Sequence, residues 1–230
     1  MSGIKICGLK RMEDIDAVNA FRPDYIGFVF ANTGRFVSDE TAASLKAALD
    51  PAIGAVGVFV NEPIAHILKL VQAEIIDMVQ LHGQEDLNYV NQLKAGLVNI
   101  QKNHTPTIKA VRIDASLEVT EERKQEILDA NRRLIDEAKA LQVDYLLFDA
   151  KVKGVPGGSG KTFDIAGLPP DDDIGMPYFL AGGIGLSNVA ELIQLRRPFA
   201  IDVSSAVETD GYKDKDKIKE MIDIVRKESK

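Results

Sequence analysis

The chain has 230 residues, 45% of them hydrophobic and 27% charged, which supplies apolar matter for a sizeable core and excludes a disordered composition. Its formal net charge of -7 excludes a dedicated nucleic-acid binder, because phosphate contacts need a basic surface. A single cysteine rules out an intrachain disulfide, no secretory pattern opens the chain, and no apolar run approaches the about 18–20 residues that span a bilayer. A cytoplasmic protein with no membrane and no nucleic-acid partner is expected.

In chain order, β-rich runs occur at residues 4–7, 25–30, 55–60, 78–81, 108–113, 145–149, 178–181 and 199–203. Helical patterns fall at 12–20, 39–49, 63–73, 85–94, 117–141, 187–195 and 215–227, and the glycine- and proline-punctuated stretch 163–175 has room for only a short helix. Pro63 suits a first helical turn, where its missing N–H is not needed, and Ser38 and Ser187 suit N-caps. Strands alternating with helices imply parallel strands joined by crossovers, and eight such units close into a barrel. The expectation is an α/β protein: a single (β/α)8 TIM barrel catalytic domain over residues 1–230, with a phosphate-binding site after strands 7 and 8. The alternative, an open doubly wound dinucleotide-binding sheet, would follow its first strand with GxGxxG, and the segment CGLKRMED (7–14) lacks that fingerprint.

In such barrels chemistry collects at the C-terminal ends of the strands. That rule selects Cys7, Arg35, Gln80 with His82, Asp149, Gly182 with Gly183, and Asp202 with Ser204 and Ser205. Glycines let backbone N–H groups approach an anion, and serine hydroxyls add donors, so AGGIG (181–185) and DVSSAVE (202–208) form a candidate phosphate cradle. Gly158, Ser159 and Gly160, in PGGSGKTFD after the sixth strand, would close it. That segment is not a P-loop, because GxxxxGK[ST] requires glycine where Val155 stands.

Each side chain also has an ordinary explanation. A lone cysteine is commonly a small buried hydrophobe, an aspartate at a strand end commonly caps a turn, and a loop arginine is commonly solvated. Alternation puts Lys5 and Cys7 on one face of the first strand, where a nearby ammonium would lower the thiol pKa and let Cys7 act as base or nucleophile. Partial burial of Asp149 would suit it to donate a proton. The planar fork of Arg35 suits a carboxylate, Gln80 and His82 share a strand face, and His82 is at least as well explained by a structural hydrogen bond. The histidines His66, His82 and His104 are scattered, which opposes a metal site.

The segments KICGLK, YIGFVF, GRFVS, GVFVNE, VQLHG, LLFDA, GGSGKTFD, AGGIGLSNV and DVSSAVET, in that order over residues 5–209, resemble the phosphoribosylanthranilate isomerase family of tryptophan biosynthesis. The resemblance implies an Amadori rearrangement of N-(5-phospho-β-D-ribosyl)anthranilate to 1-(2-carboxyphenylamino)-1-deoxy-D-ribulose 5-phosphate, without metal or organic cofactor. By motif position it implies Cys7 as general base, Asp149 as general acid, Arg35 on the anthranilate carboxylate and Asp202 at the sugar, with the glycine and serine loops on the phosphate. The substrate partner is then a small phosphorylated molecule, and the chain a monofunctional monomer or homodimer. Ile165 stands where the family often has tryptophan, and the loop before Arg35 reads NTG. The competing functions are another phosphate-binding barrel isomerase or epimerase, a Schiff-base aldolase using Lys5 or Lys109, and a noncatalytic phosphate-ligand binding barrel.

Overall fold

A computed structural model describes residues 2–114, 121–151 and 167–229. Eight parallel strands, β1 (Gly3–Cys7), β2 (Tyr25–Val29), β3 (Gly54–Phe59), β4 (Met78–Leu81), β5 (Thr107–Asp114), β6 (Tyr145–Lys151), β7 (Tyr178–Ala181) and β8 (Ala200–Val203), pair in sequence order and close between β8 and β1. Around them run α1 (Met12–Phe21), α2 (Asp39–Ala48), α3 (Ile64–Gln72), α4 (Leu87–Asn99), α5 (Glu121–Ala140), α6 (Asp171–Ile174), α7 (Val189–Leu195) and α8 (Lys215–Glu228). At the closure Lys5 sits in register with both Tyr25 of β2 and Asp202 of β8.

The strands are legible as apolar runs because helices cover their outer faces and side chains fill the barrel, so β4, β7 and β8 are buried along their whole length. Alternation then sorts each strand into two sets. Ile4, Ile6, Phe28 and Phe148 join the layer between strands and helices. Val56, Met78, Ile108, Leu147, Phe179 and Ala200 form a separate cluster with Tyr25, Tyr145 and Phe199 inside the barrel. Residues further along those same inward faces, toward the strand C-termini, build the mouth.

Element ends differ from the sequence expectation for identifiable reasons. Helix α4 starts at Leu87, two residues later than expected, because Asp86 caps it by accepting from Tyr89 N–H. Glu85 instead turns inward onto Lys109. Asn188, rather than Ser187, is the N-cap of α7, and Ser38 caps α2 as expected, accepting from Thr41 N–H at 3.2 Å. A hairpin not expected from the sequence, β9 (Glu208–Thr209) with β10 (Tyr212–Lys213), rises between β8 and α8. Asp210 and Gly211, at φ 53° and 78°, make the turn that Asp-Gly favours.

Candidate active site

Lys5 organises the mouth. Its side chain is fully buried on the inner face of β1, and its Nζ donates to Gln80 Oε1 at 2.7 Å and Asp202 Oδ2 at 2.9 Å. Burial opposes its charge, but Asp202, helped by Cys7, outweighs that cost and holds the ammonium pKa above its ordinary value. Lysine is a donor only, so Gln80 must present its oxygen to Lys5 and its amide N–H to His82, whose Nδ1 lies 3.0 Å from Gln80 Nε2. Nδ1 therefore accepts, the imidazole proton sits on Nε2, and Nε2–H points at Asp149 Oδ2, 3.3 Å away. One chain of hydrogen bonds, directed outward from Lys5, thus links Asp202 on β8 through β1 and β4 to Asp149 on β6. Asp202 Oδ1 is the one end left over: it is buried and has no hydrogen-bond partner among the described residues.

Cys7 follows Lys5 on the same face, half-buried at the end of β1. Glycine at 27 makes space for it, since a Cβ there would stand 2.6 Å from the thiol sulfur. The expected lowering of the thiol pKa does not occur. Burial pushes it up, Lys5 pulls it down, Asp202 adds to the rise, and Lys213 opposes it; the net direction is upward. The physical reason is burial first, which penalises the thiolate, and second that Lys5 is not an isolated cation, because its charge is already matched by Asp202.

Arg35 comes from the loop between β2 and α2 and lies across Gly8, where φ is +86° and a Cβ would stand 3.3 Å from Arg35 Cγ. Its fork is not empty. Nε and Nη2 donate to Glu208 Oε1 and Oε2, both at 2.8 Å, which raises the guanidinium pKa. Burial alone would raise the Glu208 pKa, but hydrogen bonds from Arg35 and Lys213 carry it down to about 2. Lys213 Nζ donates to Glu208 Oε1 at 2.7 Å and to Ser204 carbonyl oxygen at 2.9 Å, and burial draws its own pKa down.

Both cradle loops after β7 and β8 flank this cluster. Gly182 and Gly183 adopt φ 82° and 64°, and a Cβ on Gly182 would stand 2.8 Å from Asp149 Oδ1, so the loop passes directly over that carboxylate. Buried Asn188 braces it, accepting from Gly185 N–H at 2.8 Å and donating to Gly183 carbonyl oxygen at 3.0 Å. Ser204 Oγ donates to Cys7 carbonyl oxygen at 3.0 Å, tying the β8 loop to the end of β1, and Ser205 opens a short 3-10 turn, Ser205–Val207. Gly158, Ser159 and Gly160 lie outside the described residues. Lys109, a sequence candidate for Schiff-base chemistry, is committed to Glu85 at 2.6 Å and to Gly83 carbonyl oxygen at 2.8 Å.

The structure therefore gathers Cys7, Gln80, His82, Asp149 and Asp202 around Lys5, with Arg35 and the two loops at their edge. Sequence reasoning passed over Glu208, Lys213 and Asn188. The Asp210-Gly211 turn signal was the available clue to the first two, because a hairpin there turns Glu208 and Lys213 back over β8.

A closed eight-stranded parallel barrel that gathers a thiol, an imidazole and carboxylates at its strand ends has the architecture of a TIM-barrel enzyme, whose chemistry collects at that rim. The family profile of N-(5'-phosphoribosyl)anthranilate (PRA) isomerase matches residues 4–224. An N-(5'-phosphoribosyl)anthranilate isomerase from Endomicrobium trichonymphae is 41% identical over 226 residues, covering 98% of this chain and 99% of its own. Among solved structures, phosphoribosyl anthranilate isomerase from Thermotoga maritima superposes with TM-score 0.77 at 33% identity, covering 99% of this chain and all of that one. A second, in complex with reduced 1-(o-carboxyphenylamino)-1-deoxyribulose 5-phosphate, gives TM-score 0.71 at 28% identity, with 99% and 100% covered. The chain belongs to the N-(5'-phosphoribosyl)anthranilate isomerase family.

Proposed function

We propose that Cys7 and Asp149 carry out the isomerisation as base and acid on a substrate held by Arg35, Gln80, His82, Asp202 and the phosphate loops. The chain is an isomerase of tryptophan biosynthesis acting on a small phosphorylated molecule. In its reaction Asp149 gives a proton to the furanose ring oxygen of N-(5-phospho-β-D-ribosyl)anthranilate, the C1–O bond breaks, and the nitrogen lone pair forms the iminium ion. Cys7 then removes the C2 proton; the C–H pair becomes the enolamine double bond and the iminium electrons return to nitrogen. Tautomerisation of the enolamine gives 1-(2-carboxyphenylamino)-1-deoxy-D-ribulose 5-phosphate. The end of Arg35 not used by Glu208 binds the anthranilate carboxylate, and the unpaired Asp202 Oδ1 takes a sugar hydroxyl. Gly182, Gly183, Ser204 and Ser205, with Gly158, Ser159 and Gly160 from the sixth loop, hold the phosphate; the Ser204 hydroxyl, which here donates to the Cys7 carbonyl oxygen, turns to the phosphate to do so.

The observation that supports this assignment is the chain Asp202–Lys5–Gln80–His82–Asp149, which links the Asp149 carboxyl on β6 to the inner face of β1, the strand that ends in Cys7. The remaining parts of the proposal are one catalytic domain over residues 1–230, acting as monomer or homodimer in the cytoplasm, where a reducing environment keeps the base a free thiol. Decay of anthranilate fluorescence on enzymatically generated substrate tests the roles. Cys7→Ser and Asp149→Asn should each lose about 10²- to 10⁴-fold in kcat while still binding the reduced product analogue. Because the thiol pKa is raised, kcat/KM should climb with pH until above the ordinary thiol value of about 8.5. Full turnover in Cys7→Ser would make the cysteine structural.

A further inference from the structure

We propose that Glu208 and Lys213 are positioning residues that fix the guanidinium of Arg35 so that only its far edge faces the barrel mouth. Recognition of the substrate carboxylate then depends on a hairpin that does not touch the substrate. The inference rests on Arg35 being the carboxylate anchor, as argued above.

A guanidinium has two edges able to grip a carboxylate with paired N–H groups, one through Nε and one Nη, the other through both Nη atoms. Glu208 occupies the first edge, with 2.8 Å bonds from Nε and Nη2. Among the described residues nothing takes Nη1, so the second edge is left for a ligand. Glu208 is therefore a resident carboxylate that sets the plane of the group without competing for the edge that does the recognising.

Glu208 is itself held. Lys213, buried beneath it, bonds its Oε1 at 2.7 Å and the Ser204 carbonyl oxygen at 2.9 Å. The hairpin that carries both residues is pinned at its tip and its exit. Tyr212 lies under the Arg11 guanidinium, 4.3 Å from the ring centroid, and under Lys10 at 5.0 Å. Arg11 Nη2 donates to the Lys213 carbonyl oxygen at 3.3 Å, and Thr209 Oγ1 donates to Asp214 at 2.6 Å, the residue that caps α8. From Ser204 the chain continues to the Cys7 carbonyl oxygen. The carboxylate anchor, the β8 loop and the end of β1 are thus parts of one braced unit, and the arginine's rotamer freedom is lost before a ligand arrives rather than on binding.

The test compares two ligands by titration calorimetry: the reduced 1-(o-carboxyphenylamino)-1-deoxyribulose 5-phosphate and its phenylamino counterpart lacking the carboxylate. Glu208→Gln should weaken the carboxylated ligand about tenfold, the scale of freeing one rotamer-rich side chain, and leave the other unchanged. The double variant Glu208→Gln/Lys213→Met removes the buried ammonium left without its carboxylate, and answers the question if the single variant does not fold. Equal losses for both ligands, no loss, or tighter binding of the carboxylated one would overturn the positioning role. Arg35→Ala separates the two levels: it should erase the preference for the carboxylated ligand, and a preference that survives it refutes the anchor itself, whatever Glu208→Gln does.

Discussion

The inside of the barrel changes character within a single strand. On β4, Met78 belongs to the apolar plug and Gln80, the next inward residue, to the polar chain; on β6 Leu147 gives way to Asp149, and on β8 Ala200 gives way to Asp202. Below, rings lock together, with Tyr145 and Phe199 centroids 4.6 Å apart and Phe179 and Phe199 5.4 Å apart. Above, fully buried Lys5 is tolerated only because Asp202 and Gln80 answer it. The lower half is held by area and shape, which forgive conservative exchange, and the upper half by donor and acceptor identity, which does not.

The contrast breaks most visibly at Phe179, which is fully buried in the plug. Phe179→Ala should cost about 3–5 kcal/mol in denaturant unfolding, while the pH profile of the remaining folded enzyme stays that of wild type. A changed profile would mean that the plug sets the chemistry above it.

Glu208 sharpens the other half. Its pKa lies near 2 in the folded protein, below the ordinary glutamate value, so its contribution is present above about pH 4.3 and is lost as pH falls through the folded value. That contribution is about 3 kcal/mol at neutral pH. Between pH 5 and pH 2 wild type should therefore lose that much more stability than Glu208→Gln, read from unfolding midpoints; parallel curves would refute it.

The smallest effect belongs to Gln80→Glu. A carboxylate accepts where the amide donated, so Nδ1 must carry a proton, and the neutral Nε2–H form that wild type presents to Asp149 is lost. We expect kcat to fall about tenfold, near the value of one hydrogen bond to a charged group, with KM little changed. An unchanged kcat would make the orientation of His82 irrelevant to turnover.

Much of this was legible in the sequence. The strands appeared as apolar runs because they are buried on both faces, and strand ends marked Cys7, Gln80, His82, Asp149 and Asp202 because the barrel brings all its C-termini to one rim. The match of Arg35 to Glu208 was not legible, because the partners are 173 residues apart and Glu208 sits in a motif already explained by its serines. The pKa direction of Cys7 was misjudged for a related reason. Alternation revealed the neighbouring Lys5, but neither how deeply the thiol is buried nor that Asp202 on the closing strand had already matched the Lys5 charge. Local spacing reports which face a residue occupies; charge balance at that face is settled by strands distant in sequence.

The directed hydrogen-bond chain at the mouth also removes a degeneracy. An amide side chain and an imidazole each have two nearly equivalent arrangements, so Gln80 and His82 left to themselves would populate a mixture of states. Lys5, able only to donate, selects one member of that mixture at Gln80, and the selection is inherited by His82. A fully buried residue thereby decides that the site exists as one species before substrate arrives, and a chain lacking it would meet its substrate as an ensemble in which only a fraction is correctly poised.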